Sequence, residues 1–171
     1  MKGNEGFVAL GTLVLVLAFF AMRMWDADGA FNPVRAPQPA RFLDGEGAGR
    51  LVLDADRSGH FYLEGRANGA PIRFMVDSGA SIVTLTAEDA AAAGLRPADR
   101  DYDRPFSTAN GTVMSAVTQL PLLEVEGVQL TDVTVAVSRP GALDTSLFGV
   151  NGLNRFARRE TTAGEMVLVV E

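Results

Sequence analysis

Residues 74–85 read FMVDSGASIVTL, and this stretch decides the fold. Three apolar residues, Phe74-Met75-Val76, run into the turn tetrapeptide Asp77-Ser78-Gly79-Ala80. A second β-branched run, Ser81 to Thr86, leads out. Side chains alternate across a strand, so Ile72, Phe74 and Val76 share one face while Arg73, Met75 and Asp77 share the other. Asp-Ser-Gly alone is an ordinary turn sequence, since Asp and Ser bond their own backbone and Gly relieves the steric limit. A solvated turn aspartate is not normally launched from a buried strand, and that context singles out Asp77.

Working outward, the same grammar repeats. Arg50–Asp54 (RLVLD) and His60–Glu64 (HFYLE) are short β-rich runs around an Asp56-Arg57-Ser58-Gly59 turn. Asn68-Gly69 between two such runs signals a tight hairpin, because both central residues of the favoured turn need positive φ. One helix is marked after Thr86: an N-cap hydroxyl, acidic Glu88 and Asp89 in the first turn, alanines 90–93, and a Gly94 stop. Arg96 to Pro105 reads as a polar loop. Ser107 to Val137 reads as strands broken by turns at Asn110-Gly111 and Glu126-Gly127. Ser146 to Phe156 predicts a buried strand that breaks at Gly149 into a short helix, and Met166 to Val170 predicts a closing strand. Short strands, glycine turns and one or two small helices predict an all-β barrel or sandwich.

The 171 residues suit one domain plus an appendage. A net charge of −6 repels phosphates and argues against nucleic acid as a partner. The absence of cysteine excludes disulfides, thiolate metal sites and cysteine nucleophiles. Gly6 to Met22 carries no charge, and at 1.5 Å per residue spans about 26 Å, close to a bilayer core. Arg23 and Trp25 suit the interface. Residues 1–25 therefore read as an uncleaved single-pass anchor in preference to a secretory signal peptide, for bulky, charged residues occupy the place of a cleavage site. Residues 26–49, rich in Pro and Gly, read as a tether, including the Gly45-Glu46-Gly47-Ala48-Gly49 string, which lacks the strand and helix of a phosphate loop. The body is expected to span residues 50–171.

Other residues carry little chemistry. His60 is the lone histidine and begins a strand. Glu88-Asp89 and the acidic residues between Asp99 and Asp103 read as a helix first turn and a solvated loop, so no metal is expected. Tyr102 either lines a pocket or packs a loop.

FMVDSGASIVTL resembles the active-site strand and turn of the retropepsin-like aspartic proteases. Two further segments are similar in order and spacing: Phe106 to Val113 (FSTANGTV) resembles the start of the flap hairpin, and Leu147-Phe148-Gly149-Val150-Asn151-Gly152-Leu153 resembles the strand and helix behind the active site. The resemblance covers about residues 50–171, and an anchor with a proline-rich tether fits the bacterial membrane-anchored, single-lobed members. It implies a retropepsin-like half-barrel in which Asp77 is catalytic. Ser78 matches a hydroxyl that braces the turn across a two-fold axis. Gly79 and Ala80 complete the turn, Gly149 matches the glycine packed behind it, and Thr108, Ala109, Asn110 and Gly111 match the flap. Met166 to Val170 resembles a terminal strand used at dimer interfaces. Gly152 departs from the family pattern and costs the helix about 1 kcal/mol relative to Ala.

The chemistry so implied needs two carboxylates, one acting as base toward water and the other as acid toward the peptide carbonyl. No metal or cofactor enters it. The chain holds one Asp-Ser-Gly; Asp144-Thr145-Ser146 lacks the glycine. A second copy must supply the second Asp77, so a homodimer is expected. The function expected is a membrane-anchored aspartic endopeptidase acting on peptide or protein substrates. Its anchor would sit in a bacterial inner membrane, with the body on the periplasmic side. A non-catalytic module of the same fold, binding a peptide or a second chain by strand addition, is the alternative; a structural β-domain unrelated to proteases is a third.

Overall fold

The computed structural model describes residues 40–45, 48–108 and 111–170. The expected anchor, residues 1–25, and most of the tether lie outside the described residues, as do Ala109 and Asn110. Among the described residues no helix is long and apolar enough to cross a membrane.

Among the described residues eleven strands and two short α-helices follow in chain order, with a 3-10 turn at Asp99–Asp101 before β6: β1 Arg41–Gly45, β2 Ala48–Asp54, β3 Tyr62–Ala67, β4 Ala70–Val76, β5 Val83–Leu85, α1 Ala87–Ala92, β6 Arg104–Thr108, β7 Gly111–Val125, β8 Val128–Val137, β9 Ser146–Phe148, α2 Val150–Leu153, β10 Arg158–Thr161 and β11 Glu165–Val170. In the larger sheet the order is β3-β4-β9-β5-β8-β7-β6, and β7 also pairs with β3, which closes a barrel. At that seam a Cβ on Gly65 would stand 2.4 Å from Glu124 O, so only glycine lets the two backbones meet. The smaller sheet, β1-β2-β11-β10, lays Leu51, Leu53, Met166 and Leu168 into the same core as the barrel residues.

Local chemistry explains the connections. Asn68-Gly69 and Glu126-Gly127 both hold positive φ in two-residue hairpin turns. Glu126 tolerates this because its carboxylate accepts from Glu64 N at 2.7 Å and its own N–H donates to Glu64 O at 2.9 Å. Burial holds that carboxyl above its ordinary range, an effect the Glu64 amide partly offsets and the Glu64 charge reinforces. Thr86 caps α1 by accepting from Asp89 N at 3.0 Å.

Two expectations change. The stretch read as tether up to Gly49 is partly folded: β1 pairs with β2 from Arg41↔Val52 to Gly45↔Ala48. A backbone ladder needs no apolar alternation, and an Arg41–Asp54 ion pair at 2.8 Å supports this edge. Secondly, β11 is an inner strand, paired with β2 on one side and β10 on the other. Its backbone groups are therefore spent within the chain rather than offered at an edge.

Candidate active site

β4 runs parallel beside β9, with Phe74↔Ser146, Met75↔Leu147 and Val76↔Phe148 as partners. Phe74 and Phe148 are fully buried and meet edge to face at 5.9 Å; Phe148 meets Phe156 in the same way at 6.3 Å. This aromatic stack anchors the strand that carries Asp77. The ladder continues one residue past β4, where Asp77 N donates to Phe148 O at 3.1 Å. The chain then turns. Asp77 Oδ1 accepts from Gly79 N at 2.7 Å, and Ala80 N donates to Asp77 O at 3.3 Å. Asp77 is half-buried, while Ser78 and Gly79 are exposed. A Cβ on Gly79 would stand 3.1 Å from Asp77 Oδ1, so glycine keeps that flank of the carboxylate clear.

Behind the turn, the chain after β9 crosses the chain after Asp77. Val150 N donates to Ala80 O at 2.8 Å and Asn151 N to Ser81 O at 3.1 Å. Gly149 lies so close that a Cβ there would stand 2.3 Å from Ile82 O and 2.8 Å from Ala80 O. Asp77, Ser78, Gly79, Ala80 and Gly149 are thus brought together as one unit.

Of the flap candidates, Thr108 and Gly111 lie in a separate hairpin. β6 and β7 pair from Arg104↔Ser115 to Thr108↔Gly111, with the half-buried Phe106 opposite Val113. Gly111 has φ +109, which suits a turn next to the tip. Among the described residues no hydrogen bond ties this hairpin to the turn at Asp77. A groove of about 590 Å³ opens at its base, between Leu95-Arg96-Pro97, Asp103-Arg104 and Ala116-Val117-Thr118, and does not include Asp77. Among the described residues no group of three or more His, Asp or Glu side chains is placed to hold a metal.

Several residues in this neighbourhood escape a sequence reading. Asn151 Oδ1 accepts from Val83 N at 2.7 Å while its Nδ2 donates to Thr134 O at 2.7 Å, so one carboxamide joins α2, β5 and β8. Gly152, read above only as a weak helix former, is required by packing: a Cβ would stand 2.8 Å from the Phe148 ring and 2.9 Å from Val83 Cγ2. Leu147 pairs with Met75 on one side and Thr84 on the other. All three are half-buried, Leu147 and Thr84 between fully buried neighbours, and strand alternation puts them on the face that Asp77 shares. Ser146, part of the Asp-Thr-Ser near match, is fully buried, with its hydroxyl bonded to Thr86 N and Asp89. Their signals are absent locally because, Phe148 beside Gly152 apart, each partner lies far along the chain.

Comparison with known proteins agrees with this architecture. The family described as "gag-polyprotein putative aspartyl protease" matches residues 63–155, which hold both the Asp77 turn and Gly149. An uncharacterized protein from the cobV 5′ region of Sinorhizobium sp is 32% identical over 160 residues, covering 91% of this chain and 69% of that protein. An uncharacterized protein of Rickettsia prowazekii (strain Madrid E) is 36% identical over 108 residues, covering 63% of this chain and 46% of that one. Among solved structures, a retropepsin-like aspartic protease from Rickettsia conorii superposes with a TM-score of 0.65 at 31% identity, covering 78% of this chain and 96% of that one. With a barrel that delivers Asp77 on a pinned turn and a family match across that turn, the chain belongs to the retropepsin-like aspartyl proteases of the gag-polyprotein type.

Proposed function

We propose that this protein is a membrane-anchored aspartic endopeptidase, active as a homodimer. The observation that carries the reading is the held carboxylate: Asp77 Oδ1 bonded to Gly79 N on a turn cross-tied to Gly149 and Val150. A carboxylate fixed this way keeps Oδ2 for chemistry. Two copies related by a two-fold axis bring two Asp77 carboxylates together, and the pair shares a proton because two like charges at contact do not both ionise. The ionised member takes a proton from a water as that water attacks the peptide carbonyl carbon. The protonated member donates toward the carbonyl oxygen. The exposed Ser78 hydroxyl braces the two turns across the axis. The β6–β7 hairpin closes over the substrate and excludes water, with Thr108, Ala109, Asn110 and Gly111 as the flap residues. The half-buried row of Met75, Leu147 and Thr84 beside Asp77 favours an apolar side chain in the peptide.

Residues 1–25 anchor the chain as a single-pass helix in a bacterial inner membrane, with the body facing the periplasm. Protease protection of spheroplasts against intact cells tests that orientation. The activity is tested on the full chain in detergent micelles with a peptide library between pH 4 and pH 7. Cleavage is expected from the wild type and not from Asp77→Asn. Mixing in Asp77→Asn chains is expected to lower the activity of each wild-type chain, as mixed dimers form. Equal cleavage by both proteins excludes the catalytic reading and leaves peptide binding by the same fold. Undiminished activity in the mixture excludes the shared site.

A further inference from the structure

We propose that Asp89 and Ser146 are positioning residues for the catalytic turn, acting through β9. The proposal rests on the aspartic protease reading and adds to it two side chains outside the Asp77 turn.

β9 is only three residues long, lying between β4 and β5. Its C-terminal end supports the turn directly, for Phe148 O accepts the amide of Asp77 and Gly149 packs against Ile82 and Ala80. A strand this short has few ladder bonds with which to hold its register, so its two ends decide where it sits. The N-terminal end emerges from an irregular segment, residues 138–145, pairs with Phe74 of β4, and is tied to α1 by one side chain. Ser146 is 0% exposed. Its Oγ accepts from Thr86 N at 3.0 Å and donates to Asp89 Oδ2. Hydrogen bonds to a carboxylate are short and about twice as strong as neutral ones.

The arrangement differs from ordinary helix capping. In the usual reciprocal box the acid at the third position reaches back to the N-cap amide. Here Thr86 Oγ1 makes the forward half of the box with Asp89 N. The return half passes through a residue 60 positions away: Thr86 N–H to Ser146 Oγ, and Ser146 O–H to Asp89. The acid of α1 therefore fixes β9 rather than its own cap alone. Phe148 O lies two residues beyond Ser146, about 7 Å along a strand. A shift at Ser146 is passed through that rigid piece to the amide of Asp77.

The test uses the full chain in detergent micelles, with Ser146→Ala and Asp89→Asn as the perturbations and Val167→Ala as the comparison. Val167 is buried in β11, in the smaller sheet. Each protein is assayed well below its own thermal midpoint, so that only folded protein reports. Ser146→Ala is expected to lower kcat about 10- to 100-fold with KM within about twofold, as misplacement of a reacting group does. Asp89→Asn, whose amide oxygen still accepts from Ser146, is expected to fall between Ser146→Ala and the wild type. Val167→Ala is expected to lose thermal stability and keep kcat. Wild-type kcat in Ser146→Ala, with stability reduced as in Val167→Ala, overturns the proposal and leaves a cap alone.

Amide hydrogen exchange gives a readout that needs no activity. Ser146→Ala is expected to speed exchange at Asp77, Gly79 and Ala80 while leaving β2 and β11 unchanged; unchanged exchange at those three amides overturns the proposal. Wild-type chains that cleave nothing, or that cleave as Asp77→Asn does, refute the protease reading separately, and the exchange result then decides the positioning claim.

Discussion

Gly149→Ala puts the packing of the Asp77 turn to its sharpest test. Gly149 has φ −80 and ψ −178, a conformation open to any residue, so the perturbation is steric and not conformational. The new Cβ would stand 2.3 Å from Ile82 O, 2.5 Å from Ile82 C and 2.8 Å from Ala80 O. Ordinary contact begins at 3.4 Å, so the two segments must part by about 1 Å at the closest point. Every atom met is backbone, which has no rotamer with which to yield. The separation breaks Val150 N to Ala80 O and Asn151 N to Ser81 O, now 2.8 and 3.1 Å. Overpacking costs about 1–3 kcal/mol. Two lost hydrogen bonds add about 1 kcal/mol each. A loss of about 3–5 kcal/mol lowers the thermal midpoint of a domain this size by about 10 °C. The Asp77 turn moves with its support, and a displacement near 1 Å lowers kcat by about 100-fold.

The matched control is Gly164→Ala, where no heavy atom lies within 4 Å and the expected change is within about 0.5 kcal/mol. Thermal unfolding of the full chain followed by far-ultraviolet circular dichroism gives the midpoints, and peptide cleavage gives kcat. A Gly149→Ala protein that melts within about 2 °C of wild type and keeps half its kcat would refute the steric reasoning. So would an equal loss in Gly164→Ala.

Gly152→Ala separates propensity from packing by sign: helix propensity alone predicts a gain of about 1 kcal/mol, whereas the Phe148 ring 2.8 Å from the new Cβ predicts a loss, read in the same melting experiment. Asn151→Asp keeps an acceptor for Val83 N but has no donor for Thr134 O, and a half-buried carbonyl left without its donor should cost about 1 kcal/mol; wild-type stability would exclude Asn151 as a cross-tie. For Glu126, whose carboxyl is raised chiefly by burial, the stabilising contribution is fully present below the unfolded value of about 4.5 and is lost as pH rises through the higher folded value. Glu126→Gln, which can still accept from Glu64 N, should therefore gain stability relative to wild type at pH 7 and not at pH 4 in chemical denaturation; parallel pH profiles would contradict this.

Much of the fold was written locally. Asn68-Gly69 and Glu126-Gly127 need positive φ, and both turns form where hairpins were expected. Thr86 and Gly94 bracket a helix because capping is decided within a few residues. β10, by contrast, has the sequence RRET with all four residues exposed, and offers no apolar period to read. β1 was hidden by the glycines around it. Both are edge strands of the smaller sheet, held by backbone pairing, which leaves little trace in side-chain pattern.

The Asp77 turn was legible for the same local reason: an apolar strand launching Asp-Ser-Gly occupies consecutive residues. What holds that turn was not. Gly149 contacts Ile82, Asn151 spans β5 and β8, and Ser146 answers Asp89, across separations of 17 to 68 residues. A glycine gives no sign of which backbone will lie against it, and a serine gives none of which amide it will accept. The sequence by itself determined a β-rich chain with one Asp-Ser-Gly turn at the end of a buried strand. Tertiary structure decided that β11 is spent inside its own chain, that Gly152 is a packing requirement, and that a three-residue strand carries the turn. Steric exclusion and hydrogen-bond pairing between distant segments exist only once the barrel has closed.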